Sequence, residues 1–310
     1  MGRLRTAPHR LPILFPFRRI GNMGAFTRQL LNVFKLRIGV VIAFTALTGL
    51  AVTPGSPLPV WKIGLLGLAV LLSAAAAGAF NQYVERDLDL KMTRTQRRPF
   101  VTGALAHGPG WLWLIGIMVA GSTLAAAWAL NVVAALYVFL GAFFYGVVYT
   151  VWLKRRTWLN IVVGGLAGSF AVLAGAAAVS PQLDPLALSL ALVLFLWTPP
   201  HFWSMAIAYY DDYSAAQVPM LPVVIGKAAA ARVILANTVL LVAASLLPMW
   251  FGAGPVYLAG ALIGGTYFLV KSIRLAKEPS RANAMGNFHA SLLQLTLLLV
   301  AAIIDAVWWQ

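Results

Sequence analysis

The chain is 310 residues long, 61% hydrophobic and only 10% charged, a balance that would leave a soluble fold covered in apolar surface, so its solvent is lipid. The net charge of +15 reads as a topology signal rather than as affinity for nucleic acid. The absence of cysteine excludes disulfides, thiolate metal sites and cysteine nucleophiles.

The first stretch carries Arg3, Arg5, Arg10, Arg18, Arg19, Arg28 and Lys35 with no acid and no long apolar run, which argues against a secretory signal peptide. It is short and Pro-containing, a poor match to a mitochondrial transit peptide, and Gly2 with Thr6 meets the myristoylation pattern only as well as chance does. Residues 1–35 are expected to form a poorly ordered basic segment, with Met23 an alternative start, before a single transmembrane domain over 36–310. Apolar runs bounded by charge, Pro or Gly then predict spans near 37–54, 62–82, 111–130, 132–152, 158–179, 186–208, 233–251, 255–275 and 287–308. Only Asn131 separates the third from the fourth, so a tight turn is expected there. Without strict alternation in these runs, helices satisfy the backbone in hydrocarbon better than a β-barrel would. The expected class is all-α, a polytopic membrane protein of about nine transmembrane helices.

With the amino terminus in the cytoplasm and the carboxyl terminus outside, every Lys and Arg except Lys62 falls on the cytoplasmic side, as the positive-inside rule requires. Outside loops such as Pro54 to Pro59 are short connectors, whereas two cytoplasmic loops, roughly 83–110 and 209–232, are long and polar, the kind that carries function. An acid-bearing loop follows both the second and the sixth span, a weak internal echo.

The chain has 8 acids, Glu85, Asp87, Asp89, Asp184, Asp211, Asp212, Glu278 and Asp305, and most of them fall in those two loops. Carboxylates at a bilayer edge are costly unless paired or bound to a cation. In NQYVERDLDLKMTRTQRRP, Asn81, Glu85 and Asp89 follow i, i+4, i+8 spacing and share one face if the second helix continues through them. Such a stripe of oxygen ligands suits Mg²⁺, which binds through one or two carboxylates while bridging to substrate phosphates; Mn²⁺ would fit nearly as well. Lys91, Arg94, Arg97 and Arg98 follow directly, and guanidinium forks match phosphate oxygens, so the segment suits a diphosphate. Asp87 lies off the stripe and is expected to pair with an arginine.

In AYYDDYSAAQVPMLPVVIGK, Asp211 and Asp212 sit among Tyr209, Tyr210 and Tyr213. Adjacent acids project differently, so one of them is expected to reach the metal region while the other serves a second metal or a helix cap. The tyrosines are either interface anchors or cation-stabilising faces. His201 in WTPPHFW and His289 at the start of the last span are ionisable groups in lipid, either structural or functional.

The stretch 81–99 resembles the Asn-x-x-x-Glu-x-x-x-Asp, Met-x-Arg-Thr-x-x-Arg-Pro signature of the intramembrane prenyltransferase superfamily, in the version of its protoheme IX farnesyltransferase branch. HFWSMAIAYYDDYSAAQVPMLPVV and VVYTVWLKRRTWLNIVVGGLAGS resemble that branch's second signature and middle block, and the likeness runs from about residue 30 to 300. The resemblance implies transfer of the farnesyl group of farnesyl diphosphate to a vinyl group of protoheme, giving heme O for terminal oxidases, in a bacterial inner membrane. It implies metal ligands at Asn81, Glu85, Asp89, Asp211 and Asp212, diphosphate contacts from Lys91, Arg94, Arg97, Arg98 and Lys154, and a porphyrin that His201 or His289 ligates or orients. A heme A synthase or an oxidase assembly factor is the implied protein partner. The rivals are a prenyltransferase acting on a quinone precursor and, from another class, a secondary transporter. Against the transporter, the acids gather at one face and no ionisable relay crosses the bilayer.

Overall fold

The computed structural model describes residues 23–182 and 184–309, and the Arg-rich residues 1–22 of the expected basic segment lie outside them. The described part of that segment is not unstructured: α1 (Met23–Val33) is helical and buries Val33. It meets α2 (Leu36–Val52) at a 49° bend, and the hinge residue Lys35 has φ +48°, a left-handed conformation that a side-chain-bearing residue seldom adopts.

The chain continues through α3 (Val60–Val84), the short α4 (Arg86–Lys91) and α5 (Pro99–Thr102), and α6 (Gly110–Ala129). Next, α7 (Val132–Phe143) widens into a π-helix over Phe144–Leu153, followed by α8 (Asn160–Gly164) and α9 (Leu166–Val179). The second half comprises α10 (Pro185–Ala208), α11 (Tyr210–Ala215), α12 (Leu221–Ile225) and α13 (Lys227–Ala244) with a 3₁₀ turn over Leu247–Phe251. It closes with α14 (Pro255–Lys277) and α15 (Arg281–Trp309). Among the described residues 8 helices are long and apolar enough to span a bilayer, or 9 with the bent α1–α2 pair counted as one. Helices α13 and α15 begin at Lys227 and Arg281, earlier than hydropathy placed the last spans, because their first turns are basic and extend past the apolar layer.

Neighbours in sequence pack as neighbours in space, and α15 returns to α2, closing the bundle into a ring. Packing is close where residues are small: a Cβ on Gly49 of α2 would run into the Val172 carbonyl of α9, and one on Gly175 of α9 into the Ala46 carbonyl. Since lipid offers no hydrophobic drive between helices, this backbone approach supplies the contact. The turn at Asn131 is as expected: its Oδ1 accepts the Ala134 N–H at 2.9 Å, capping α7, while its Nδ2 donates to the Ala177 carbonyl at 2.6 Å.

Buried polar groups are tied across helices. Pro200 denies the Leu196 carbonyl its usual i+4 donor, and Asn237 Nδ2 of α13 supplies one at 3.0 Å. A chain of hydrogen bonds runs from the Pro200 carbonyl through Ser204, Asn287 and Ser272 to Thr238, joining α10, α15, α14 and α13. At the face opposite the acidic loops, buried Asp305 of α15 accepts the N–H groups of Gly254 (2.5 Å), Val256 (3.0 Å) and Tyr257 (3.2 Å), capping the start of α14 from a neighbouring helix. Asp305→Ala is expected to cost about 2–3 kcal/mol, since the buried Gly254 and Tyr257 N–H groups and the half-buried Val256 N–H all lose their acceptor. The check is a lowered thermal midpoint in detergent with undiminished turnover per folded molecule. Trp61, Trp128, Trp250 and Trp308 are exposed at this same end, an interfacial aromatic belt.

Candidate active site

The oxygen stripe forms although the helix beneath it breaks. Glu85 ends α3 with φ −91° and ψ 12°, yet its N–H still donates to the Asn81 carbonyl at 3.0 Å and the Asp89 N–H donates to the Glu85 carbonyl at 2.8 Å. The i+4 register therefore survives into α4. Asn81, Glu85 and Asp89 are 2%, 1% and 2% exposed, an amide and two carboxylates set into one wall.

Each of them faces its own cation. Lys35 Nζ donates to Asn81 Oδ1 at 2.7 Å and to Tyr145 Oη at 3.1 Å. Lys154 Nζ reaches both Glu85 oxygens at 2.5 and 2.6 Å, and Arg98 Nη1 both Asp89 oxygens at 2.8 Å. Burial pushes the Asp89 carboxyl up, more than the Arg98 guanidinium draws it down. Asp87, off the stripe, takes a two-pronged bond from Arg155 at 2.7 and 2.8 Å, which holds its carboxyl below the ordinary range.

The π-helix sets the opposite wall. Its wider turn lets the Lys154 N–H donate to the Tyr149 carbonyl at 2.9 Å and the Thr150 hydroxyl donate to the Tyr145 carbonyl at 2.8 Å, both five residues back. Tyr145, Tyr149, Thr150 and Lys154 thereby line up on one side, with the two tyrosine rings stacked at 5.5 Å and Asn81 Nδ2 donating to Thr150 Oγ1 at 3.1 Å.

Of the two adjacent acids in the second loop, Asp212 is the one tied to the first acidic loop. The Thr93 hydroxyl donates to both Asp212 oxygens at 2.7 and 2.9 Å, and the Arg94 N–H donates at 3.2 Å. Burial raises the Asp212 carboxyl, but these hydrogen bonds outweigh it and hold the group below the ordinary carboxylate range. Asp211 is exposed and makes no ion pair among the described residues. Arg94 stacks over Tyr209, 5.7 Å from the ring centroid. Of the basic residues read from sequence, Arg98 and Lys154 pair with the stripe and exposed Arg94 is tied in by Asp212 and Tyr209, whereas Lys91 and Arg97 are exposed at the rim.

The two histidines are far apart in character. His201 is buried between the rings of Trp197 (4.2 Å) and Phe288 (4.4 Å), with Nδ1 at 2.7 Å from Ser291 Oγ. His289 is exposed on α15, toward the lipid side of its helix.

Among the described residues no group of three or more His, Asp or Glu converges on a point, so the wall is no closed metal cage. Its donors are all oxygen, buried and already occupied by positive charge, which is the chemistry of a hard divalent ion that completes its shell from a ligand's phosphates.

The model of the UbiA prenyltransferase family matches residues 42–299. The chain belongs to the UbiA prenyltransferase family. Over 284 residues it is 60% identical to protoheme IX farnesyltransferase 2 of Paramagnetospirillum magneticum, covering 91% of this chain and 98% of that relative. The UbiA fold is also evident against solved structures. A digeranylgeranylglyceryl phosphate synthase superposes with TM-score 0.74 at 18% identity, covering 91% of this chain and 98% of that one. A UbiA homologue from Archaeoglobus fulgidus bound to DMAPP and Mg²⁺ gives 0.68 at 17% identity, covering 89% and 99%.

Proposed function

We propose that this UbiA family member transfers the farnesyl group of farnesyl diphosphate to a vinyl group of protoheme, yielding heme O, in a multi-pass fold of a bacterial inner membrane. The observation that carries the prenyl-transfer chemistry is the buried Asn81, Glu85 and Asp89 stripe faced by Lys35, Lys154 and Arg98. The acceptor is taken from the relative with 60% identity. In this reading the acidic loops are cytoplasmic and residues 36–310 are the catalytic domain.

The wall residues Asn81, Glu85 and Asp89, with Asp212 rather than its exposed neighbour Asp211, would hold a divalent metal, Mg²⁺ or in its place Mn²⁺. When bound, the metal neutralises charge on the departing diphosphate. Arg98, Lys154 and Arg94 grip phosphate oxygens, with Lys91 and Arg97 drawing the anion in from the rim. The allylic C–O bond breaks and diphosphate leaves with the electron pair. The π electrons of the vinyl group then attack the farnesyl cation, and water captures the cation left on the other vinyl carbon and releases a proton. The stacked Tyr145 and Tyr149 offer π faces to positive charge during this step. In this reading His201, held by Ser291 and two rings, and the exposed His289 are the histidines that would orient the porphyrin, and the product serves terminal oxidases through a heme A synthase or an assembly factor.

The test is reconstitution in liposomes with protoheme, farnesyl diphosphate and Mg²⁺, followed by mass analysis of the extracted porphyrin. A farnesyl adduct supports the assignment; prenylation of a quinone precursor with none of protoheme would sink it. Arg94→Ala is expected to raise KM for farnesyl diphosphate about tenfold or more while membrane abundance stays level. Parallel loss of abundance and activity would mark Arg94 as structural.

A further inference from the structure

Several basic residues at the acidic face have no ion pair among the described residues, and two of them are held against the tyrosines that open the second acidic loop. Arg281 Cζ lies 5.3 Å from the Tyr209 ring centroid, and Lys227 Nζ 4.5 Å from that of Tyr210. Arg281 is the first residue of α15 and Lys227 the first of α13, positions where a cation opposes the helix dipole and costs stability. The positive-inside rule accounts for basic residues on this face, but not for these two being held on the rings of consecutive tyrosines.

Tyr209 carries a second guanidinium. Arg94 stacks on the same ring at 5.7 Å, and its backbone belongs to the Asp212 hydrogen-bond group that ties the two acidic loops. One ring thus carries two guanidinium groups, Arg94 from the first acidic loop and Arg281 from the start of α15. Like charges gathered at the edge of a low-dielectric layer repel one another until an anion joins them.

We propose that Arg281 and Lys227, steadied on Tyr209 and Tyr210, bind the two carboxylates of the tetrapyrrole acceptor. This rests on the protoheme reading given above. Protoheme carries both propionates on one edge of the macrocycle and its vinyl groups elsewhere on the ring. Its carboxylates cannot enter hydrocarbon unpaired, so they stay at a charged rim while the apolar macrocycle reaches into the bundle. The cations on the acid stripe answer to Asn81, Glu85 and Asp89 and to the diphosphate. Arg281 and Lys227 make no ion pair among the described residues, and two cations held on consecutive tyrosines offer one partner to each carboxylate of a dicarboxylate. Tyr209 then holds a cation for each substrate, Arg94 for the diphosphate and Arg281 for a propionate.

The experiment uses the full chain in zwitterionic nanodiscs without metal or farnesyl diphosphate, titrated with protoheme and with its dimethyl ester and followed by the Soret band. Wild type is expected to bind protoheme roughly tenfold more tightly than the ester. Arg281→Gln and Lys227→Gln each weaken protoheme several-fold, and the double variant binds acid and ester alike, with KM for farnesyl diphosphate, read in a separate liposome turnover assay, unchanged; Arg281→Lys restores part of the preference. Variants that weaken acid and ester equally would show a packing role and overturn the proposal. So would variants that raise KM for farnesyl diphosphate while leaving protoheme affinity intact, since the rim would then serve the donor. Wild type that binds neither porphyrin overturns the acceptor assignment itself, a result distinct from the loss of acid-over-ester preference alone.

Discussion

Replacing Glu85 by Gln is expected to lower farnesyl transfer by on the order of 10²–10³-fold while the protein accumulates normally. The glutamate is 1% exposed and takes Lys154 Nζ on both oxygens, so its charge has been brought into the bundle at a desolvation cost that only a strong partner offsets. The amide retains the shape and one acceptor for Lys154 but loses the negative charge needed to share a metal with diphosphate. Initial rates in liposomes under saturating protoheme give the check, with abundance read by immunoblot. A rate within twofold of wild type would remove Glu85 from the chemistry.

The second large effect separates the two halves of the Asp89–Arg98 pair. Arg98→Ala leaves a carboxylate that is 2% exposed without its cation, and such breakage of a buried pair costs about 3–5 kcal/mol. Asp89→Asn removes the charge along with the need for it, so it is expected to abolish activity at a smaller cost in stability. The pH dependence distinguishes them further. Burial already raises the Asp89 carboxyl above its ordinary range, and loss of Arg98 raises it more. The native state then binds a proton more tightly than the unfolded chain, so Arg98→Ala is relatively stable below the raised value and loses stability as pH climbs through it. Thermal midpoints in detergent between mildly acidic and neutral pH test the sign; a midpoint that rises with pH in Arg98→Ala alone would contradict it.

Much of this was legible in the residues themselves because the relevant periods are short-range. The apolar runs could not be satisfied in lipid except as helices, and Asn131 was the one polar break between two of them, so that turn was readable to the residue. Spacing of i, i+4, i+8 put Asn81, Glu85 and Asp89 on one face, and the face persists because the hydrogen bonds cross the break at Glu85. What depends on tertiary context was not legible. Nothing local announces that Lys35 adopts a left-handed conformation and so turns from a topology marker into the partner of Asn81. The π-helix that aligns Tyr145 with Lys154 has no composition of its own, and the choice of Asp212 over Asp211 is made by Thr93 in a distant loop. Asp305 stood as a lone acid in a span, and its role as a cap for α14 is visible only once α15 lies beside that helix. Charge alone suggests poor order over 1–35, and within the described residues of that segment Met23–Val33 is helical, because MGAFTRQLLNV lacks Pro and spaces its apolar residues for a helix.

The proline pair in α10 has a bearing on biogenesis. Helix α10 is synthesised before α13, and until α13 arrives the Leu196 carbonyl has no donor, while α13 alone would carry the bare amide of Asn237 into lipid. Each segment is a poor lipid solute by several kcal/mol for its unmet group, and each cures the other's defect. The bilayer therefore favours partitioning the two as a pair. Insertion of the second half of the bundle is guided by a polar complement, and a chain truncated between residues 208 and 227 would be retained at the translocation machinery or degraded rather than stored as a half-built bundle.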